Sequence, residues 1–172
     1  KNFQLEQANN NEVPGWKIWE QADHFQAKSL VAAMAGEVVR RQGKEIFDKF
    51  HLALLNARHG GSGRIPLNES GPIVKVAEEI GLDVGALQEA LKDRSLLQII
   101  ARDHIQAAEN YGIFGTPTFV FQNGSSAYLK TFIPPLEESV AFFDGFVDMM
   151  ARRPYVGELK RPQPPWPKGV VR

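Results

Sequence analysis

Side chains able to do chemistry are few in this chain, and their spacing excludes more than it permits. None of the 172 residues is cysteine, so residues 1–172 contain no thiol nucleophile, disulfide or thiolate metal site. His51 and His59 have no carboxylate at a recognised ligand spacing, which argues against zinc. His24 falls in a polar loop. His104 lies on the apolar stripe of a helix, where a hydrogen-bonded core histidine is a simpler account than catalysis. Ser29, Ser62, Ser70 and Ser95 lack the strand–turn–helix setting of a nucleophile elbow. Glu78-Glu79 and Glu137-Glu138 are adjacent pairs that point in different directions, unlike an acid–base dyad. The Gly60-Gly61-Ser62-Gly63 cluster is no phosphate loop, because no Lys-Ser/Thr follows it.

Charge gives no stronger lead. Twenty basic residues balance twenty acidic ones, so no nucleic-acid or anionic-membrane partner is expected. Arg40-Arg41 and Arg152-Arg153 are too short for a basic groove, and Phe142, Phe143 and Phe146 read as core, not as a base-stacking platform. No apolar run approaches the ~20 residues of a membrane span.

The most informative stretch runs Tyr111-Gly112-Ile113-Phe114-Gly115-Thr116-Pro117-Thr118-Phe119-Val120-Phe121. A proline directly before a β-favouring run cannot donate a ladder hydrogen bond, so Pro117 must begin the strand. Cis X-Pro bonds are a minority of about 5–6% and mark tight turns.

The elements that must position this stretch follow from periodicity. Asn2-Phe3-Gln4-Leu5-Glu6 alternates polar and apolar residues as a short strand would. A polar loop follows, in which Trp16 and Trp19 most simply pin the segment to the body; ligand stacking is the alternative. Five helices then cover roughly residues 26–111. Their apolar stripes are Ala27, Leu30, Val31, Met34 and Val38; Ile46, Phe47, Phe50 and Leu54; Ile73, Val76, Ala77 and Ile80; Val84, Leu87 and Leu91; and Leu97, Ile100, Ala101, His104, Ile105 and Ala108. Gly43, Pro72 and Gly81 punctuate them, Asp83 caps the fourth, and Asp93 or Ser95 starts the fifth. Thr118–Phe121 and Ala127–Thr131 form an antiparallel hairpin around Asn123-Gly124, whose residues suit a type I′ turn. Leu136, Val140, Phe143, Val147 and Met150 define a last helix, with Glu137-Glu138 at its positive end and Arg152-Arg153 at its negative end. From Pro154 on, prolines and Trp166 suggest an extended surface tail.

Gly112 through Val120 resembles the segment G-[VI]-x-G-T-P-T-F-[VI] of the DsbA-like branch of the thioredoxin superfamily. The resemblance implies an α/β thioredoxin-like fold of the DsbA type with an all-helical insertion. Residues 1–25 and 112–153 would form the thioredoxin-like domain, 26–111 the insertion and 154–172 the tail. Phe3–Gln7 looks like the second strand of that fold. The implied activity is thiol–disulfide exchange by a low-pKa cysteine in a Cys-x-x-Cys motif at a helix start. Gly115, Thr116 and Pro117 would be the substrate-binding loop, with a cis Thr116-Pro117 bond and the Thr116 main chain held out to an extended substrate. In the family, that motif and the strand leading to it stand just before the strand placed at Phe3, so both are expected upstream of Lys1. The chain alone is therefore not expected to exchange disulfides.

Two rivals carry different chemistry. Kappa-type glutathione transferases and 2-hydroxychromene-2-carboxylate isomerases resemble this architecture and use a serine with glutathione. A non-catalytic peptide-binding module on the thioredoxin scaffold is the other. The leading reading needs no cofactor, with glutathione entering only under the first rival, and its partner is a protein or small-molecule thiol or disulfide. A dimer is compatible with it. The compartment is taken as cytoplasmic, although a chain without cysteine also suits an oxidising space.

Overall fold

A computed structural model gives the fold and describes residues 1–10, 13–22, 25–61 and 63–159. His24, Ser62 and Trp166, with the tail beyond residue 159, lie outside the described residues. The helices are α1 (Leu5–Ala8), α2 (Leu30–Arg40), α3 (Lys44–His59), α4 (Ser70–Glu79), α5 (Val84–Ala90), α6 (Ser95–Tyr111) and α7 (Ser139–Arg152). Two short strands, β1 (Thr118–Val120) and β2 (Ser126–Tyr128), pair antiparallel. The chain divides into two compact units, Lys1–Gln106 and Ala107–Arg172.

In the first unit, α2 packs on α3, α4 and α5, and α3 packs on α4. Val39, Phe50, Ile73, Leu87 and Leu96 are fully buried at the centre. Each such side chain contributes roughly 1.5–3 kcal/mol by leaving water. Local signals fix the joints. The Asp83 carboxylate accepts the Ala86 N–H at 3.0 Å and caps α5. Gly81, at φ +82, turns the chain out of α4, and the Leu82 N–H reaches back to the Ala77 carbonyl at 3.0 Å.

Two helix faces differ from the periodic expectation. The chain enters α2 at Leu30, so Ala27 is buried ahead of the helix. Its most deeply buried positions are Ala35 and Val39, with Ala32 beside them, and Val31 and Met34 only flank the core. Val38, from the expected stripe, is buried with Ala35 and Val39. In α6 the buried line runs Leu96, Leu97, Ile100, His104, Ala107, and Ile105 stays 41% exposed.

The strand expected at Phe3–Gln7 is not formed. Gln4 is extended, but Leu5–Ala8 closes one helical turn. A strand needs a neighbour for its main chain, and this segment satisfies its polar groups through side chains. The Gln4 N–H donates to His104 Nδ1 at 3.1 Å, Asn2 Nδ2 donates to Glu37 at 2.8 Å, and Gln7 exchanges hydrogen bonds with the main chain of Trp16 and Ile18. Lys1 Nζ also donates to Gln106 Oε1. Trp19 packs on His104 and so holds its segment to α6, whereas Trp16 packs edge-on to Phe25 in the loop before α2.

The second unit holds the hairpin and α7. Phe119 and Ala127 share one face of the hairpin, and the Phe119 ring meets Phe143 and Phe146 of α7 edge-on at 5.3 and 5.4 Å. Leu136 and Val140 are 88% and 71% exposed, and no residue of α7 is buried. Phe142 and Phe143, expected in the core, are also exposed, and the helix meets the hairpin through the edges of Phe143 and Phe146. Leu136–Glu138 forms a separate 3₁₀ turn. Asp148 binds both Arg152 and Arg153, and the Arg153 guanidinium holds its carboxyl below the usual range.

The hairpin turn is not type I′, because Gly124 is left-handed (φ +84) and Asn123 is not. Asn123 is committed elsewhere: its Oδ1 accepts from Ser125 N–H and Oγ, and its Nδ2 donates to the Ala151 carbonyl. Both strands are shorter than expected. Beyond Tyr128 the ladder keeps only the Leu129 N–H to Pro117 carbonyl bond at 3.1 Å, since Pro117 has no N–H to return.

Candidate functional site

The loop from Gly112 to Pro117 is set by what precedes and follows it. Gly112 takes φ +62 at the end of α6, and the Ile113 N–H bonds back to the Ala107 carbonyl at 3.1 Å. That helix-ending bond turns the chain out of α6 and into the loop. At the far end, Thr118 Oγ1 donates to the Gly115 carbonyl at 2.7 Å, and the Pro117 carbonyl is held by Leu129.

Between those anchors the Thr116-Pro117 peptide bond is cis. Gly115 is buried, whereas Thr116 and Pro117 are exposed. A Cβ on Gly115 would sit 3.0 Å from Tyr128 Cε2 and 3.5 Å from Cδ2 and Cζ. Glycine is therefore what lets the loop main chain lie against that ring. Phe114, 69% exposed, meets the Tyr128 ring with centroids 5.1 Å apart and a tilt of 56°.

The hairpin register determines which main-chain groups face outward. Pro117, Phe119 and Phe121 are the positions whose main chain points to the second strand, as the Leu129-to-Pro117 and Phe121-to-Ser125 bonds mark. Thr118 and Val120, at the non-bonded pairs with Tyr128 and Ser126, turn their N–H and C=O to the opposite edge. The Thr116 N–H and C=O have no hydrogen-bond partner among the described residues. Thr116, Thr118 and Val120 thus line one strand edge that has no partner among the described residues, and a neighbouring extended chain is what satisfies such an edge.

The residues Gly115, Thr116 and Pro117 picked out from the sequence stand together in this loop. His51, His59 and His104 belong to the first unit. His104 is buried in the first unit, stacked on Phe3 at 4.7 Å, and burial lowers its pKa. His51 stacks on Phe47, whose other neighbour is the Arg40 guanidinium; burial, then Arg40, lowers its pKa. No group of three or more His, Cys, Asp or Glu that could hold a metal occurs among the described residues. No described helix is long and apolar enough to cross a membrane. Sequence reasoning missed Phe114 and Tyr128 as neighbours of the loop. The signal for Phe114 was available, an aromatic residue inside a glycine-bounded turn; nothing local marked Tyr128.

A family model described as DSBA-like thioredoxin domain matches residues 17–139, well over half of the 172 residues. No curated protein matches the chain.

Proposed function

The chain belongs to the DSBA-like thioredoxin domain family, and from that premise we propose that it is the substrate-holding part of a thiol–disulfide oxidoreductase. One observation carries the reading: an exposed Thr116-Pro117 pair, its threonine main chain without a partner among the described residues, leads into β1. An extended peptide next to a disulfide would pair with the Thr116 N–H and C=O by strand addition. Pro117 brings no donor and no ligating side chain to the reacting sulfurs.

Exchange requires a thiolate, and residues 1–172 contain no cysteine. The nucleophile therefore comes from a segment outside these residues, in the position the family reserves for Cys-x-x-Cys. Its thiolate attacks one sulfur of the substrate disulfide, a mixed disulfide forms, and the other substrate sulfur leaves as thiolate. The second cysteine's thiolate then attacks the first cysteine's sulfur and displaces the remaining substrate sulfur as thiolate, which leaves the substrate reduced and the protein oxidised. The reverse sequence oxidises a substrate dithiol. Thr116 serves by keeping the substrate extended, so that its disulfide lies along the line of attack.

The test is the natural protein's intact mass and N-terminal sequence, joined to an exchange assay on a peptide disulfide. A mass above 19.2 kDa, a Cys-x-x-Cys upstream of Lys1 and thiol-dependent turnover are expected. Residues 1–172 alone should leave the disulfide intact. A lone serine upstream would move the reading to the glutathione-dependent enzymes. A natural protein with neither would reduce it to a peptide-binding module.

A further inference from the structure

Asn123 takes no part in the exchange chemistry, yet both ends of its amide are engaged. Its Oδ1 accepts from the Ser125 N–H at 3.0 Å and from the Ser125 Oγ–H at 2.7 Å, and its Nδ2 donates to the Ala151 carbonyl at 2.8 Å. Donors meet the oxygen and an acceptor meets the nitrogen, so only this orientation of the amide serves every contact. Ala151 is the penultimate residue of α7, where a helix leaves its carbonyls without partners. The Asn123 amide therefore closes the end of α7 from the hairpin turn, inside the second unit. Asn123 is also the only asparagine of the chain that is followed by glycine. With no Cβ in the way, a glycine nitrogen can reach the carboxamide carbon before it and close a cyclic imide. Here the Gly124 N–H is held by the Phe121 carbonyl at 3.0 Å. Asn123 and Gly124 are both exposed, so water reaches them.

We propose that Asn123 is a self-modification site and a one-way latch: its amide ties the hairpin turn to the end of α7, and its conversion to aspartate or isoaspartate releases that tie. Hydroxide removes the Gly124 N–H proton, and the nitrogen bonds to Asn123 Cγ. The Cγ–Nδ2 bond then breaks, and ammonia leaves with a proton from water. Water adds to either carbonyl of the resulting succinimide and opens it to aspartate or isoaspartate. Nothing is oxidised or reduced, and water is the only co-reactant. The product carries a carboxylate where the donor stood. That group meets the Ala151 carbonyl oxygen to oxygen and adds negative charge at the negative end of α7. Arg152 and Arg153, which follow Ala151, are already bound by Asp148. Isoaspartate also adds a carbon to the main chain of the turn. The latch therefore does not close again. The folded turn sets the rate as well. Imide closure and amide hydrogen exchange both begin with loss of the Gly124 N–H proton, so opening of the turn controls both. The latch is independent of disulfide exchange.

The test incubates the full chain, and separately an end-blocked peptide of residues 121–127, at neutral pH. Peptide mapping reads aspartate and isoaspartate at position 123, and amide hydrogen exchange reads protection at Gly124. Gly124 should exchange at least about tenfold more slowly in the chain than in the peptide, and conversion of Asn123 should slow by the same factor within about threefold. Conversion as fast in the chain as in the peptide while Gly124 is protected, or no conversion in either, overturns the site. That comparison needs no variant. Asn123→Asp carries the product side chain and tests the latch. It should speed exchange at Gly124 by about fivefold or more, with the Phe146 amide in the middle of α7 still protected, which separates release of the turn from unfolding. Unchanged exchange at Gly124 in Asn123→Asp overturns the latch.

Discussion

Phe50→Ala is expected to lower the unfolding free energy of the helical unit by about 3–5 kcal/mol, the cost of removing a large aromatic side chain from a packed core. Phe50 is 1% exposed on α3, at the centre of the cluster that holds Val39, Ile73, Leu87 and Leu96. These neighbours sit on α2, α4, α5 and the start of α6. Alanine would leave a hole lined by residues from all of them, and helices already packed on one another can close it only in part. In urea the midpoint should fall with little change in slope, because the surface exposed on unfolding is nearly the same. Leu52→Ala supplies the contrast. Leu52 lies on the same helix but is 61% exposed, and its loss should cost no more than about 0.5 kcal/mol. Equal effects of the two substitutions would mean that α3 presents a different face to the core.

Stability of the same unit is expected to fall as the pH drops from 7 to 5, with His104 as a principal cause. The His104 Nδ1 accepts the Gln4 N–H at 3.1 Å, and the ring is covered by Phe3 and Trp19. Burial holds its folded-state pKa below the ordinary value, which is near 6.5 in an unfolded chain. The unfolded chain therefore takes up the proton more readily. The contribution of neutral His104 is complete above about pH 6.5 and is lost as the pH falls through its lowered folded value. Protonation also sets one N–H against another at Gln4. The charged groups nearby are Asp103 on the same helix, Lys1 and Glu37; Asn2 bonds both carboxylates, and Lys1 faces Asp103. His104→Gln keeps a polar side chain without the titration and should flatten the dependence of the urea midpoint on pH. His51, lowered by burial and by Arg40, acts with the same sign, so the slope should shrink and not vanish. An unchanged slope would remove His104 from the account.

Local rules and the packing they leave undetermined account for what was legible in the sequence. Asp83, Gly81 and Pro72 act within a turn of themselves, so their roles were readable from spacing. Phe50, Ile100 and His104 were readable too, because each lies near the middle of a broad apolar stripe. The α2 face was legible only at Val38, because burial of Ala32 and Ala35 depends on how the other helices pack against it. Phe3–Gln7 alternates like a strand but folds as a helical turn, because alternation supplies no partner for its main chain. The loop at Thr116-Pro117 was found from its motif alone. Its aromatic neighbours were not, since Phe114 and Tyr128 meet only through the hairpin register and the missing side chain of Gly115.

Amide hydrogen exchange at Thr116, with and without an extended peptide disulfide, tests the central claim most directly. Pairing of the Thr116 main chain predicts that its amide slows by at least about tenfold, as one hydrogen bond's worth of protection requires. Phe119, already bonded across the hairpin, should change little. Thr116 exchanging at the same rate with and without saturating peptide would contradict the account.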